Sequence, residues 1–188
     1  MAVLNKYLDL EEIPEIKEFF FKRGELKMYR KNEFFIKQGQ KSESIGFITE
    51  GSFRYLRSTS EGREQIVGYS FENDFVADYA ALQTGTNSVI DARAIKDSTV
   101  LVLYRKDVNY FFNNCSDKSL GQKIAEVFLA DIYSRLLSLY CETPEERYTN
   151  LVRNYPQILN QVSLKEIASF IKVTPETLSR IRKKIYKS

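Results

Sequence analysis

VSLKEIASFIKVTPETLSRIRKK, residues 162–184, is the stretch on which the reading of this chain turns. Ser163 and Glu166 have the S-x-x-E spacing of a capping box, with Val162 and Ile167 placed as the hydrophobic staple around it. A helix is therefore expected to start at Leu164, with Leu164, Ile167, Ala168 and Ile171 on its inner face. A short turn at Lys172–Val173 ends at Thr174, an N-cap followed by Pro175 in the first helical position, where its missing N–H costs nothing. The second helix turns Leu178, Ile181 and Ile185 inward. Two capped helices joined by a short turn, with small Ala168 where they must approach, have the outline of a helix-turn-helix.

Glu176, Ser179, Arg180 and Lys183 fall opposite that apolar face, toward the amino-terminal end of the second helix. A carboxylate there can accept from cytosine N4 and a guanidinium fork can grip guanine O6 and N7. Glu176, Ser179 and Arg180 are the expected base readers. Arg182, Lys183, Lys184 and Lys187, with Thr174 at the helix start, are expected on phosphates. The charge distribution agrees. Residues 163–188 carry seven positives against two negatives, a net +5 in a chain whose total is +3, so the remainder sums to −2. A basic tail on a slightly acidic body predicts a polyanion partner for the tail, here double-stranded DNA.

The rest of the chain excludes much chemistry. There is no histidine, which removes Ser-His-Asp and Cys-His catalysis and the commonest metal ligand together. Cys115 and Cys141 are the only two thiols and have no metal-knuckle spacing, so no metal and no cofactor are expected. No apolar run is long enough to span a bilayer, and Met1–Leu10 does not read as a signal peptide. A non-enzymatic cytoplasmic protein without a membrane partner is the expectation.

Strand signals occur at residues 24–30, 33–36, 44–50, 53–58, 64–71, 89–94 and 99–104, separated by turn residues such as Gly39, Gly51, Gly62 and Gly85, the rhythm of an antiparallel barrel or sandwich. Residues 9–21 read as a short helix before them. From Ser119 to Cys141 the residues Leu120, Ile124, Val127, Phe128, Ile132, Leu136 and Leu139 recur at three- and four-residue steps. That helix, roughly six turns long, joins a β unit to a small basic unit, and its stripe is expected to pack on a second copy. Residues 145–155 continue as a polar helix. The expected organisation is a β effector domain at 1–116, a dimerisation helix at 117–141 and a helix-turn-helix domain at 142–188.

The whole chain resembles the cyclic AMP receptor protein and fumarate-nitrate regulator (Crp/Fnr) superfamily. YRKNEFFIKQGQKSESIGFITEGSFRYL, residues 29–56, follows the family outline of the β domain, and VTPETLSRIRKK, residues 173–184, is similar to its recognition helix. The resemblance implies an α+β chain: an antiparallel jelly-roll of the cyclic-nucleotide-binding kind, a dimerisation helix and a winged helix-turn-helix. It also implies a homodimeric bacterial transcription regulator with RNA polymerase as a further partner. The set Glu176, Ser179 and Arg180 is more like the fumarate-nitrate branch, which implies half-sites with a TTGA-like core. That branch's iron-sulfur cluster needs four thiolates, and the family's carbon monoxide sensors use histidine on haem. Neither fits this composition.

ADYAALQTGTNSVIDARA, residues 77–94, corresponds to the family's phosphate-binding loop. Cyclic AMP binders have Gly-Glu and an arginine there; this chain has Ala77-Asp78 and places Ser88 near the arginine's position. Losing that charge-assisted bond removes about 1.5–3 kcal/mol, so weak or absent cyclic AMP binding is expected. Ala77, Asp78, Tyr79, Ala80, Ser88 and Val89 outline an effector pocket for an unknown small molecule or none. Arg93 reads as a surface residue unless its strand turns it inward. Two other classes stay open on residues alone: a β domain whose helical tail docks on another protein, and a cupin-like enzyme, which the lack of histidine disfavours.

Overall fold

The computed structural model describes residues 4–185. After a 3-10 turn at Lys6–Asp9 and helix α1 (Ile13–Arg23) come β1 (Glu25–Tyr29), β2 (Phe34–Ile36), β3 (Ser44–Glu50), β4 (Ser52–Ser58), β5 (Glu64–Phe71) and β6 (Phe75–Val76). Helix α2 (Tyr79–Thr84) separates these from β7 (Asp91–Ala94) and β8 (Ser98–Tyr104). The strands form two four-stranded antiparallel sheets, ordered β1-β8-β3-β6 and β2-β7-β4-β5. The nearly continuous apolar run of β8 follows from its central place. Val100 and Val102 face the space between the sheets with Ile48, Phe53 and Ala94, while Leu101 and Leu103 pack outward against α1 and the next helix, α3 (Arg105–Asn114). Burying both faces over Val100–Leu103 leaves no polar position in that run.

Each expected strand is present to within a residue or two. Two elements had no clear signal: β6, only two residues long, and the helical turn α2. Gly85 ends α2 in a left-handed conformation at φ 75°, and a Cβ there would meet the Arg105 guanidinium at 2.4 Å. The left-handed conformation is what favours glycine, since the guanidinium is the end of a flexible side chain.

Helix α4 (Leu120–Cys141) then runs about 33 Å along the molecule. Its stripe does not stay on one partner. Leu120 is fully buried against the β domain of its own chain, Ile124 packs beside it, and the Phe128 ring lies 6.5 and 5.9 Å from those of Tyr7 and Tyr79. The exposed apolar row is Leu129, Ile132, Tyr133, Leu136 and Tyr140 with Leu137 and Leu139 beside it. The seven-residue set expected to face a second copy is thus corrected. Leu120, Ile124 and Phe128 belong to the intrachain core, and Leu129, Tyr133 and Tyr140 belong to the open face. The reason is that a long amphipathic helix has its amino-terminal half pressed onto the roll and only its other half free.

The remaining helices are α5 (Pro144–Asn154), α6 (Ile158–Gln161), α7 (Leu164–Phe170) and α8 (Pro175–Ile185). α5 begins with a second capping box, Thr143 with Glu146, and Pro144 in the first turn. A wing, as the resemblance implied, is absent among the described residues: no strand follows Tyr104, and the segment between α5 and α7 is instead the single turn α6, held by fully buried Ile158. The helical unit closes around Ile158, Ile167, Ala168 and Leu178, and this core is continuous with Leu56, Ile66 and Tyr69 of the roll.

Candidate functional site

Both capping arrangements expected in the helix-turn-helix are present. The Ser163 side chain accepts from the Glu166 backbone N–H, and a Glu166 carboxylate oxygen accepts from Ser163 N at 3.0 Å and Oγ at 2.8 Å. Thr174 Oγ1 accepts from the Thr177 N–H at 3.2 Å. Lys172, at φ 58°, makes the turn between the helices in a left-handed conformation. With Leu178 and Ile181 buried, α8 leaves Glu176, Ser179, Arg180 and Lys183 exposed. The Glu176 carboxyl is held below its ordinary range, first by its own backbone N–H, then by the Thr174 hydroxyl, with the Arg180 charge adding. It is therefore ionised at neutral pH and acts only as an acceptor.

The phosphate set is less uniform than its sequence. Lys183 is exposed, but Lys184 Nζ lies 2.6 Å from Glu145 Oε2 on α5, and Arg182 is half-buried. Lys187 lies outside the described residues. The pairing of Lys184 across helices is not visible in a linear reading, because Glu145 is placed beside it only when α5 packs on α8.

The helix-turn-helix is fastened to its own β domain. Glu166, besides closing its capping box, takes Arg54 of β4 at 3.0 Å, with both side chains mostly covered. Ser169 receives the Ile66 N–H at 3.2 Å and bonds Gln65, both on β5, the edge strand of its sheet. Phe170 stands edge-on to Tyr69 at 5.3 Å, and the Arg135 guanidinium of α4 lies 5.9 Å from the Phe170 ring.

Below this junction lies a cavity of about 430 Å³ between the roll and α4. Ala77, Asp78, Tyr79, Ala80 and Val89 of the expected pocket line it; Ser88 is buried just behind. Asp78 is not free to receive a ligand. It caps α2 by accepting from Ala81 N–H at 3.1 Å, and its other oxygen accepts from Ser88 Oγ at 2.8 Å and Val89 N–H at 3.1 Å. An internal carboxylate therefore holds the donors of the loop. Arg105, from the far side, donates to the carbonyls of Ala81 and Leu82 at the carboxyl end of α2. Arg93 faces away, since Ala92 and Ala94 are both fully buried; it pairs with Glu64 and lies 5.0 Å from the Phe34 ring.

Sequence reasoning missed most of the cavity wall: Tyr55, Phe75, Phe128, Asp131, Ile132 and Arg135. They come from strands and a helix far apart in the chain, so no local pattern joins them. Asp74, behind Phe75, was missed as well. It is buried and accepts from Asn5 Nδ2 at 2.6 Å, Phe75 N–H at 2.6 Å and Tyr7 Oη, and burial raises its pKa despite these bonds. Among the described residues no three histidine, cysteine or acidic side chains are grouped to hold a metal, and no helix is long and apolar enough to cross a membrane.

The model of the cyclic nucleotide-binding domain matches residues 26–115, the stretch that contains both sheets and the Asp78 loop. The cAMP-activated global transcriptional regulator CRP of Salmonella typhimurium is 21% identical over 179 residues, covering 88% of this chain and 84% of that protein. The chain is similar along most of its length to transcription regulators of the Crp/Fnr superfamily. Solved relatives show the same Crp/Fnr fold. FixK2 from Bradyrhizobium japonicum superposes with a TM-score of 0.75 at 21% identity, over 88% of this chain and 85% of its own. The c-di-GMP responsive global regulator CLP of Xanthomonas campestris gives 0.70 at 14% identity, over 93% and 92%. The curated relatives that match are transcriptional regulators.

Proposed function

We propose that the protein is a homodimer that binds a palindromic DNA site with TTGA-like half-sites, reading bases through Glu176, Ser179 and Arg180, and that cyclic AMP is not its effector. The observation that carries the reading is the face of α8. Three side chains able to recognise base edges stand exposed at its amino-terminal half while its other face is buried. Two such helices about 34 Å apart would enter successive major grooves. Thr174, Lys183 and the remaining basic residues of the helix supply phosphate contacts, and the open row from Leu129 to Tyr140 supplies the face for the second copy. RNA polymerase is the further partner that a regulator of this kind would meet.

Cyclic AMP recognition fails for a stated reason. The Asp78 carboxylate already takes the Ser88 and Val89 donors, so a phosphate would meet a negative charge where a cation is needed.

The test is fluorescence anisotropy of a palindromic TTGA duplex against a scrambled one, with sedimentation velocity on the same sample. A dimer that prefers the palindrome at least tenfold, with affinity falling steeply as salt rises, supports the reading. A monomer at micromolar concentration, or salt-insensitive binding without preference, sinks it and returns the helical tail to a protein-docking role.

A further inference from the structure

We infer that the space between the β domain and α4 is a binding site for an uncharged, apolar small molecule. The inference rests on reading this domain as the effector half of a regulator, and it names the class of its ligand.

The volume of about 430 Å³ lies within the range of small-molecule sites, roughly 300–1,000 Å³. The wall is made by the rings of Phe75, Tyr79 and Phe128 and by the aliphatic groups of Ile124 and Ile132. Three charged side chains reach it, and each is already matched by the protein. Asp78 holds three donors from its own loop. Asp131 and Arg135 pair at 2.8 Å, and Arg135 also donates to Leu4 O and Asn5 Oδ1 at 3.2 Å. Of the lining hydroxyls, Tyr55 bonds Ser70 at 2.9 Å and Tyr79 the Gly121 carbonyl at 3.4 Å, while Tyr69 Oη is buried without a hydrogen-bond partner among the described residues and is the one neutral polar group left open among these three tyrosines. Burial raises the pKa of the Tyr55 and Tyr79 phenols, so they stay neutral. A ligand that brought its own charge would have to be desolvated without a partner or break one of these pairs. A neutral apolar molecule faces neither cost. It would lie against α4 between the roll and Arg135, which touches Phe170 of the helix-turn-helix, so the site and the DNA-binding unit share one side chain.

The full chain is titrated with N-phenyl-1-naphthylamine, a neutral apolar fluorophore, and the bound probe is then displaced. Saturable enhancement at micromolar probe is expected, with 1-decanol displacing it at least tenfold better than decanoate and cyclic AMP not displacing it. Ala80→Phe, at an exposed rim position, is expected to weaken the probe at least tenfold without changing the melting temperature. Equal displacement by alcohol and carboxylate overturns the inference. So does a flat titration of the unsubstituted dimer, which would mean that side chains of the second copy fill the space. The same sample is tested on the palindromic duplex. Site-specific DNA binding with a flat probe curve removes the ligand inference alone, whereas probe binding with no duplex recognition removes the regulator reading and leaves the cavity as a site.

Discussion

The Asp78–Val89 loop and helix α8 are both short polar segments on an apolar support, and they use their polar groups in opposite ways. In the loop, the carboxylate and its donors satisfy one another, with Asp78 capping α2 and clasping Ser88 and Val89. In α8, Glu176, Ser179 and Arg180 face solvent, and the bond from Arg180 to Thr177 Oγ1 is long at 3.3 Å. A recognition surface is one whose groups are left open to an outside partner; a loop whose groups close on themselves has become scaffold.

Three substitutions test this contrast. Arg180→Ala should have the largest effect. Each lost base contact costs about 1–3 kcal/mol, and a dimer loses two, so preference for the palindrome should fall by tenfold or far more while weak binding to random duplex persists. Anisotropy with both duplexes measures it, and an unchanged preference breaks the comparison. Asp78→Ala comes next. It leaves buried donors of the loop unsatisfied and removes the cap of α2, costing about 1–3 kcal/mol in urea unfolding, yet it should leave cyclic AMP binding absent, because no cation is introduced. Gain of cyclic AMP binding in that variant would show that the carboxylate alone had blocked the phosphate. Arg54→Ala should be smallest, about 1 kcal/mol, since the pair with Glu166 keeps some solvent access and the capping box remains. Its readout is faster amide exchange at Ile66, whose N–H bonds Ser169 across the junction. Unchanged exchange would mean that the shared apolar core alone holds the two units together.

How far the chain could be read in advance followed the range of the interactions. The strands were legible because alternation and turn residues act within a few positions, and β8 stood out because both its faces are covered. Helix α8 was legible from its cap at Thr174 and Pro175. The second capping box, Thr143 with Glu146, has an equally local signal just ahead of the polar helix expected at 145–155. Strand β6 carries two residues, too few for any period. The stripe of α4 was seen, but one period serves two surfaces. Leu129 lies half a turn round the helix from Leu120, so the roll takes one side of α4 and leaves the other open. The missing wing was implied by resemblance, and burial of Ile158 settled that segment as a helical turn.

By itself the sequence determined what depends on neighbours within about four residues and on residue types: the capped helix pair, the strand rhythm, the basic tail, and the loss of histidine chemistry. It also placed Asp78 and Ser88 in one loop. Only the tertiary structure decided that these two bond each other, that Lys184 turns to Glu145, that Arg93 faces away, and that Tyr55, Phe128 and Arg135 enclose one cavity. Those outcomes depend on contacts between residues that are 10 to 80 positions apart, brought together when the sheets close and α4 and the helices after it settle on them. Periodicity records which face of an element is apolar; packing chooses what that face meets.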